Sequence, residues 1–224
     1  MTRGQIRENV REVLSELPEG IRLVAACKTR TAEEIQQAVE AGITIIGENH
    51  IQEAERSFHN IEGDIKWHFI GHLQKNKVKK AVKIFDMIES LDSPELARII
   101  DKECRKIDKI MECLVEVNSG REDNKYGFMP EDVEGFILEA KDLLNIRISG
   151  LMTMGPFMGT PEEFRPYFSL TRKLFEDIKE KKIPSCEMKY LSMGMSASYK
   201  TAIEEGANMV RIGTRLFGFR DYSC

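Results

Sequence analysis

The sequence lacks the features of a membrane or secreted protein. No apolar run approaches the length of a membrane span, and the N-terminal residues MTRGQIREN contain no hydrophobic core of a signal peptide. An excess of basic residues is also absent, since 33 Lys and Arg stand against 37 Asp and Glu and the net charge is −4. Nucleic acid is therefore not an expected partner. These absences predict a soluble cytoplasmic protein.

Cysteine pairs with the spacing of a disulfide framework or a zinc knuckle are absent too. The five cysteines are scattered, and none has C-x-x-C spacing, so we expect reduced thiols. His68 and His72 lie four positions apart, but no neighbouring cysteine or carboxylate completes a set of metal ligands in the sequence. No metal site is predicted.

What the sequence does contain is a series of short apolar runs that alternate with amphipathic helical segments. Capping signatures begin several of these segments, as at Thr31 with Glu34 and at Thr160 with Glu163. Strands that alternate with helices predict parallel βα units. The eight predicted strands cover residues 21–28, 43–47, 66–71, 84–91, 111–118, 146–154, 186–193 and 209–217.

Eight βα units are the number that closes a (β/α)8 barrel of the TIM type, and we predict a single α/β barrel domain over residues 1–224. The competing fold is an open doubly wound sheet, which requires a G-x-G-x-x-G motif after an early strand, and the sequence has none. Because the chain ends soon after the eighth strand, no helix is expected there. An extra amphipathic helix at residues 3–17 is expected to fill that place in the outer ring.

Chemistry in such a barrel occurs at the carboxyl ends of the strands. The first strand ends at Lys28, whose amine, partly shielded from water, could form a Schiff base. The last two strands end in the turn from Ser192 to Ser196 and in Gly213 and Thr214, which suit a phosphate. A strand-end lysine is also often a plain surface charge, and glycine and serine are common in ordinary turns. A lysine opposite a phosphate site nevertheless suggests pyridoxal 5′-phosphate.

Several motifs resemble those of the pyridoxal phosphate homeostasis proteins, a family related to the N-terminal barrel of alanine racemase. They are VAACKT, GENHIQEA, WHFIGHLQKNK, LMTM, LSMGMSASYKTAIEEGANMVRIGTRLFG and RDY, and they span residues 24–222. The chain departs from the family pattern at His50, where tyrosine is usual, and at His72, where proline is frequent. No role is assigned by analogy at these two positions.

The resemblance implies that pyridoxal phosphate is held as a Schiff base on Lys28. It also implies a phosphate site at the serine-containing turn, where either Ser192 or Ser196 could make the main contact, and an arginine, Arg211, near the pyridine nitrogen. The implied cofactor-binding residues are, in chain order, Lys28, Asn49, Ser192, Met193, Ser196, Arg211, Gly213 and Thr214.

Two functions are compatible with this resemblance. One is a non-catalytic protein that buffers intracellular pyridoxal phosphate or delivers it to apo-enzymes, and the other is an amino-acid racemase of the alanine-racemase type. Racemization needs a second acid–base group, which in alanine racemase is a tyrosine from a separate β-domain across a dimer. Here only RDYSC follows the barrel, and Tyr222 belongs to a tail too short for a domain. We therefore expect a monomeric carrier without catalytic residues, with the racemase as the alternative.

Overall fold

Eight parallel strands form the centre of the molecule, and the pairing of β1 with β8 closes them into a barrel in chain order. The structure, a computed structural model, describes residues 3–156 and 159–219. The closing RDY motif and Tyr222 lie outside the described residues. The strands are β1 (Arg22–Ala26), β2 (Ile45–Glu48), β3 (Lys66–Phe69), β4 (Met87–Leu91), β5 (Met111–Glu116), β6 (Ile146–Met152), β7 (Cys186–Ser192) and β8 (Met209–Ile212).

Helices follow the strands and form the outer ring, which confirms the predicted (β/α)8 architecture. The capping box predicted at Thr31 is present, and Thr160 is the N-cap of a helix with proline in its first turn, as predicted. Within the described residues the helices are α1 (Arg3–Glu16), α2 (Ala32–Glu40), α3 (Ile51–Ser57), α4 (Val78–Ile84), α5 (Pro94–Arg105), α6 (Pro130–Glu139), α7 (Pro161–Glu180), α8 (Tyr199–Glu204) and α9 (Thr214–Phe217), with 3-10 turns at Lys75–Lys77 and Ala140–Asp142.

The end of the eighth βα unit differs from the prediction. Strand β8 stops at Ile212, and the one-turn helix α9 follows it, so the expectation of no helix after the eighth strand was wrong. The apolar run from Met209 to Phe217 does not continue as a strand because the backbone turns at Gly213. Its last residues, Leu216 and Phe217, are instead buried as helical side chains.

Helix α1 fills the outer ring beside α9 and α2, as predicted. Its residues Ile6, Val10 and Val13 are buried in the core. On its polar side, Arg215 of α9 forms ion pairs with Glu12, at 3.0 Å, and with Glu16. The N-terminal helix is thus attached to the last βα unit by both apolar packing and charge.

Side chains alternate between two apolar cores. The larger core lies between the barrel and the helices, and a second cluster fills the barrel itself. Burial of the apolar side chains in these two cores is the main stabilising contribution to the fold. Among the helices of the described residues, none combines the length and apolar character required to cross a bilayer. The residues of the inner cluster are Val24, Ile45, Ile70, Met87, Leu114, Met152, Tyr190 and Met209.

Gly150, where β6 bulges against β7, is expected to be the glycine least tolerant of substitution. Its φ is +148°, and a Cβ there would lie 1.8 Å from the carbonyl oxygen of Tyr190. Gly150→Ala should lower the free energy of unfolding by about 3 kcal/mol or more, measured by urea denaturation. The control is Gly135→Ala in α6, where the new methyl meets no atom within 4 Å and should stabilise the protein by about 0.5–1 kcal/mol. Equal midpoints for the two variants would contradict this account.

Candidate cofactor-binding site

Lys28 lies at the mouth of the barrel, two residues beyond the end of β1. It is half-buried and lines a cavity of about 340 Å³ together with Asn49, Gly71 and His72. The next residue, Thr29, has a φ of +66°, so the chain turns away from the sheet directly after Lys28. The lysine side chain therefore belongs to the mouth of the barrel rather than to its packed interior.

The loops after β7 and β8 are joined to each other by hydrogen bonds. The hydroxyl oxygen of Ser196 accepts from the backbone N–H groups of Gly213, at 3.3 Å, and Arg215, at 3.4 Å. The backbone N–H of Arg211 donates to the carbonyl oxygen of Gly194 at 3.0 Å. Residues 196–198 form a turn and α8 begins only at Tyr199, so Ser196 lies in the loop rather than in a helix.

Gly213 brings this pair of loops against the strand that leads to Lys28. A Cβ at Gly213 would lie 3.0 Å from the carbonyl oxygen of Ala26, the last residue of β1. A larger residue would therefore push the loop away from β1. Among the described residues, the backbone N–H groups of Ser196, Ala197 and Thr214 meet no hydrogen-bond acceptor. Clustered, unpaired N–H groups of this kind fit an anion such as phosphate.

Arg211 lies inside the barrel beneath these loops and is 3% exposed. Its guanidinium donates to the hydroxyl of Ser192 at 2.6 Å and to the carbonyl oxygen of Thr153 at 2.8 Å. The nearest carboxylate oxygen belongs to Glu89, 3.9 Å away. Burial of a charge is unfavourable unless it is paired and hydrogen-bonded, and these contacts supply both.

Glu89 connects Arg211 to the opposite wall of the barrel. Its carboxylate accepts from Ser192 at 2.6 Å and is 2.7 Å from Nδ1 of His68. Burial alone would raise the pKa of Glu89, but the hydrogen bond and charge of His68, the Arg211 guanidinium and the Ser192 hydroxyl together hold that pKa below its usual value. Glu89 therefore remains a carboxylate inside the barrel at neutral pH.

The two predicted serines lie in different places. Ser192 is fully buried, and its hydroxyl bonds Glu89 and Arg211 inside the barrel. Ser196 lies at the mouth, beside the unpaired N–H groups. Met193 is not brought to the mouth, because its side chain is buried in the outer core and its N–H donates to the carbonyl oxygen of Met209. Thr214 is exposed at the start of α9.

Asn49 borders a second cavity of about 350 Å³, on the far side of Gly71 and His72 from Lys28. The loop after β5 forms its outer wall, where Tyr126 stacks on His72 with ring centroids 3.6 Å apart. Glu116 lies in the wall of this cavity, and burial, with the charge of Asp92, raises its pKa to about 7. This cavity widens the mouth next to the predicted site.

The two histidines considered as metal ligands have different partners. His68 contacts Glu89 inside the barrel, whereas Nδ1 of His72 is 2.9 Å from Oδ2 of Asp92 at the mouth. Within residues 3–156 and 159–219, no group of three or more His, Cys, Asp or Glu side chains could hold a metal ion.

Sequence reasoning collected Glu48 as a strand-end residue, but it did not single out Glu89, which is buried, or Glu116, which is half-buried. A signal was present, because each of these two interrupts an otherwise apolar strand, in MIESL and LVEV. A carboxyl group inside a buried strand requires either partners or a proton. Whether the carboxyl group has partners or is protonated depends on residues distant in the chain.

Comparison with known proteins gives the family. The family model described as alanine racemase, N-terminal domain, matches residues 2–221. A pyridoxal phosphate homeostasis protein of Aquifex aeolicus is 40% identical over 202 residues, which cover 90% of this chain and 88% of that protein. The chain belongs to the pyridoxal phosphate homeostasis protein family. The resemblance noted from the sequence motifs is thereby confirmed.

Two solved structures are similar to this fold. PipY of Synechococcus elongatus, with pyridoxal phosphate bound, has 32% identity and a TM-score of 0.88, covering 96% of this chain and 100% of PipY. An alanine racemase of Clostridium difficile has 17% identity and a TM-score of 0.79, covering 98% of this chain and 57% of the racemase. The likeness to the racemase shows a shared barrel fold.

Glu89→Gln is expected to lower the free energy of unfolding by about 3 kcal/mol at pH 7, because Arg211 would stay buried without its nearest negative charge. Exposed Glu187 on β7 supplies the control, and Glu187→Gln should change the stability by less than about 0.5 kcal/mol. The folded-state pKa of Glu89 is lowered, so its stabilisation is present above the unfolded value and is lost as the pH falls through the folded value. Urea unfolding of wild type and Glu89→Gln should therefore converge in acid. Equal stabilities at pH 7 would contradict the proposed charge pairing.

Proposed function

We propose that this chain binds pyridoxal 5′-phosphate at the mouth of the barrel and acts in intracellular pyridoxal phosphate homeostasis. The observation that carries the proposal is the close approach of Gly213 to Ala26. Through this approach, the loop with unpaired N–H groups lies beside β1, the strand that leads to Lys28. Among the described residues, Lys28 is the only lysine at the carboxyl end of β1. An amine and an anion site are the two groups that this cofactor requires.

The residues present fit the cofactor. Lys28 would bind the aldehyde through its Nζ, and the N–H groups of Ser196, Ala197 and Thr214 would bind the phosphate with the Ser196 hydroxyl. Asn49 would border the ring from the cavity that it shares with Lys28. When bound, the cofactor supplies an aldehyde for amines and a ring that can accept electrons.

Arg211 would affect the electronic state of the cofactor ring. Its guanidinium is fixed inside the barrel by Ser192 and Thr153, below the loops that would hold the cofactor. Arginine keeps its positive charge at physiological pH and would disfavour a proton on a facing pyridine nitrogen. An unprotonated ring is a weaker electron acceptor. Relatives of this chain are named as homeostasis proteins, which supports the carrier.

The proposal includes a monomeric cytoplasmic carrier that transfers the cofactor to apo-enzymes. The alternative is a racemase, for which Tyr126 supplies the specific observation, since it lines the neighbouring cavity and stacks on His72. A tyrosine there could serve as a second acid–base group. Incubation of the loaded protein with each common amino acid, followed by chiral chromatography, separates the two. Racemization of an amino acid at an enzyme-like rate, lost in the Tyr126→Phe variant, would show that the protein is a racemase and not a carrier.

Lys28→Ala should abolish covalent cofactor binding. The absorbance spectrum of wild-type protein mixed with pyridoxal phosphate should contain a visible band that borohydride removes, and the variant should lack it. Lys77→Ala is the matched control, because Lys77 lines the same cavity and should leave the band unchanged. A band that persists in Lys28→Ala would assign the attachment to another lysine.

Ser196→Ala should weaken the affinity for pyridoxal phosphate by about tenfold, because one hydrogen bond to a charged group is lost. The affinity for pyridoxal, which has no phosphate, should stay unchanged. Ser192→Ala should change both affinities by a similar factor, since Ser192 contacts Arg211 and Glu89. Competition titrations with the two aldehydes measure these affinities. A phosphate-dependent loss in Ser192→Ala alone would reverse the assignment of the two serines.

A further inference from the structure

The turn that presents Lys28 contains an unfavourable backbone conformation. Thr29 has a φ of +66°, in the left-handed region that β-branched residues rarely adopt. Such a conformation costs roughly 1–2 kcal/mol and persists only where neighbouring groups hold it. Since Lys28 is the adjacent residue, the direction of its side chain depends on whatever holds Thr29.

Glu53 in the first turn of α3 is the group that holds Thr29. Its Oε2 accepts a hydrogen bond from the backbone N–H of Thr29 at 3.2 Å. The turn is also closed by the N–H of Arg30, which donates to the carbonyl oxygen of Cys27 at 2.9 Å. Glu53 is thus the side-chain acceptor that joins the Lys28 turn to the helical ring.

Glu48, the last residue of β2, lies behind Glu53 and is 1% exposed. Its Oε2 meets no hydrogen-bond donor within the described residues. Burial, the negative charge of Glu53 and a hydrogen bond with the Glu53 side chain raise the pKa of Glu48 to about 8, although the N–H of Asn49 acts in the opposite direction. Glu48 is therefore protonated at neutral pH.

Glu53 connects helix α3 to the site, because it accepts a hydrogen bond from Thr29, next to Lys28. Glu53 does not line the cavity of Lys28, so it is not in a position to touch the cofactor. Its contribution is to fix the backbone from which the lysine projects.

We propose that Glu53 is a positioning residue, whose carboxylate keeps the Lys28–Thr29 turn in its binding conformation. The importance of this turn for the cofactor rests on the proposed function, whereas the hydrogen bond from Thr29 to Glu53 belongs to the protein without cofactor. Without Glu53, Thr29 would relax to negative φ and Lys28 would leave its place at the mouth.

The test compares three variants with wild type. Glu53→Ala should lower the affinity for pyridoxal phosphate at least tenfold and raise amide hydrogen exchange of residues 27–31 in the cofactor-free protein at least tenfold. Thr29→Gly combined with Glu53→Ala should restore both to within about threefold, because glycine adopts positive φ without strain. Glu55→Ala is the control on the same helix, because Glu55 pairs with Lys80 instead.

The outcomes separate this inference from the proposed function. Wild-type protein that fails to bind pyridoxal phosphate would overturn the proposed function, while the exchange measurement would still test the hold on the turn. Unchanged exchange and affinity in Glu53→Ala, or a loss in Glu53→Ala that Thr29→Gly does not restore, would overturn the inference. If Glu53→Ala does not fold, Glu53→Asp replaces it, since the shorter side chain cannot reach Thr29 and should give the same loss and the same rescue.

Discussion

Closure of the barrel between β1 and β8 is the constraint on which the candidate site depends. Parallel pairing sets Val24 opposite Arg211 and Ala25 opposite Ile212. The chain therefore leaves the sheet at the same level after β1 and after β8. Lys28 continues from one strand and Gly213 from the other. The absence of a side chain at Gly213 lets the loop after β8 lie against Ala26. An amine and a loop with unpaired N–H groups, from opposite ends of the sequence, thereby become neighbours.

The interior of the barrel adds a second constraint of electrostatic origin. An apolar floor, which includes Leu114 and Tyr190, lies below a layer that contains Arg211, Glu89, Ser192 and His68. Each member of this layer is buried and bonded to another. Such networks are costly when incomplete, so they rigidify the wall that they line. A fixed guanidinium beneath the mouth is the result.

The sequence was sufficient for the fold because the signals were local. Apolar runs of strand length and the capping boxes at Thr31 and Thr160 predicted the βα units, and their number predicted closure. The short helix α9 was missed because its apolar residues also fit a strand. The position of Lys28 at the mouth of the barrel could be predicted from its place at a strand end. The binding roles of Lys28 and of the loops around Ser196 and Gly213 stay predictions.

Other features of the site depend on contacts between distant residues and could not be predicted in this way. Ser192 and Ser196 are chemically alike in the sequence, and only the three-dimensional structure assigns one to the interior and the other to the mouth. The charge of Glu89 depends on His68, Ser192 and Arg211, which lie on three other strands. Neither burial nor a partner on a different βα unit is visible in a linear pattern.

The central claim is that Lys28 is the residue that holds pyridoxal phosphate. The most direct measurement is to reduce the wild-type protein with borohydride in the presence of the cofactor at equimolar ratio, digest it, and locate the added mass by tandem mass spectrometry. We expect one cofactor per chain on the peptide that contains Lys28. Labelling spread over surface lysines, or concentrated on another lysine, would contradict the account.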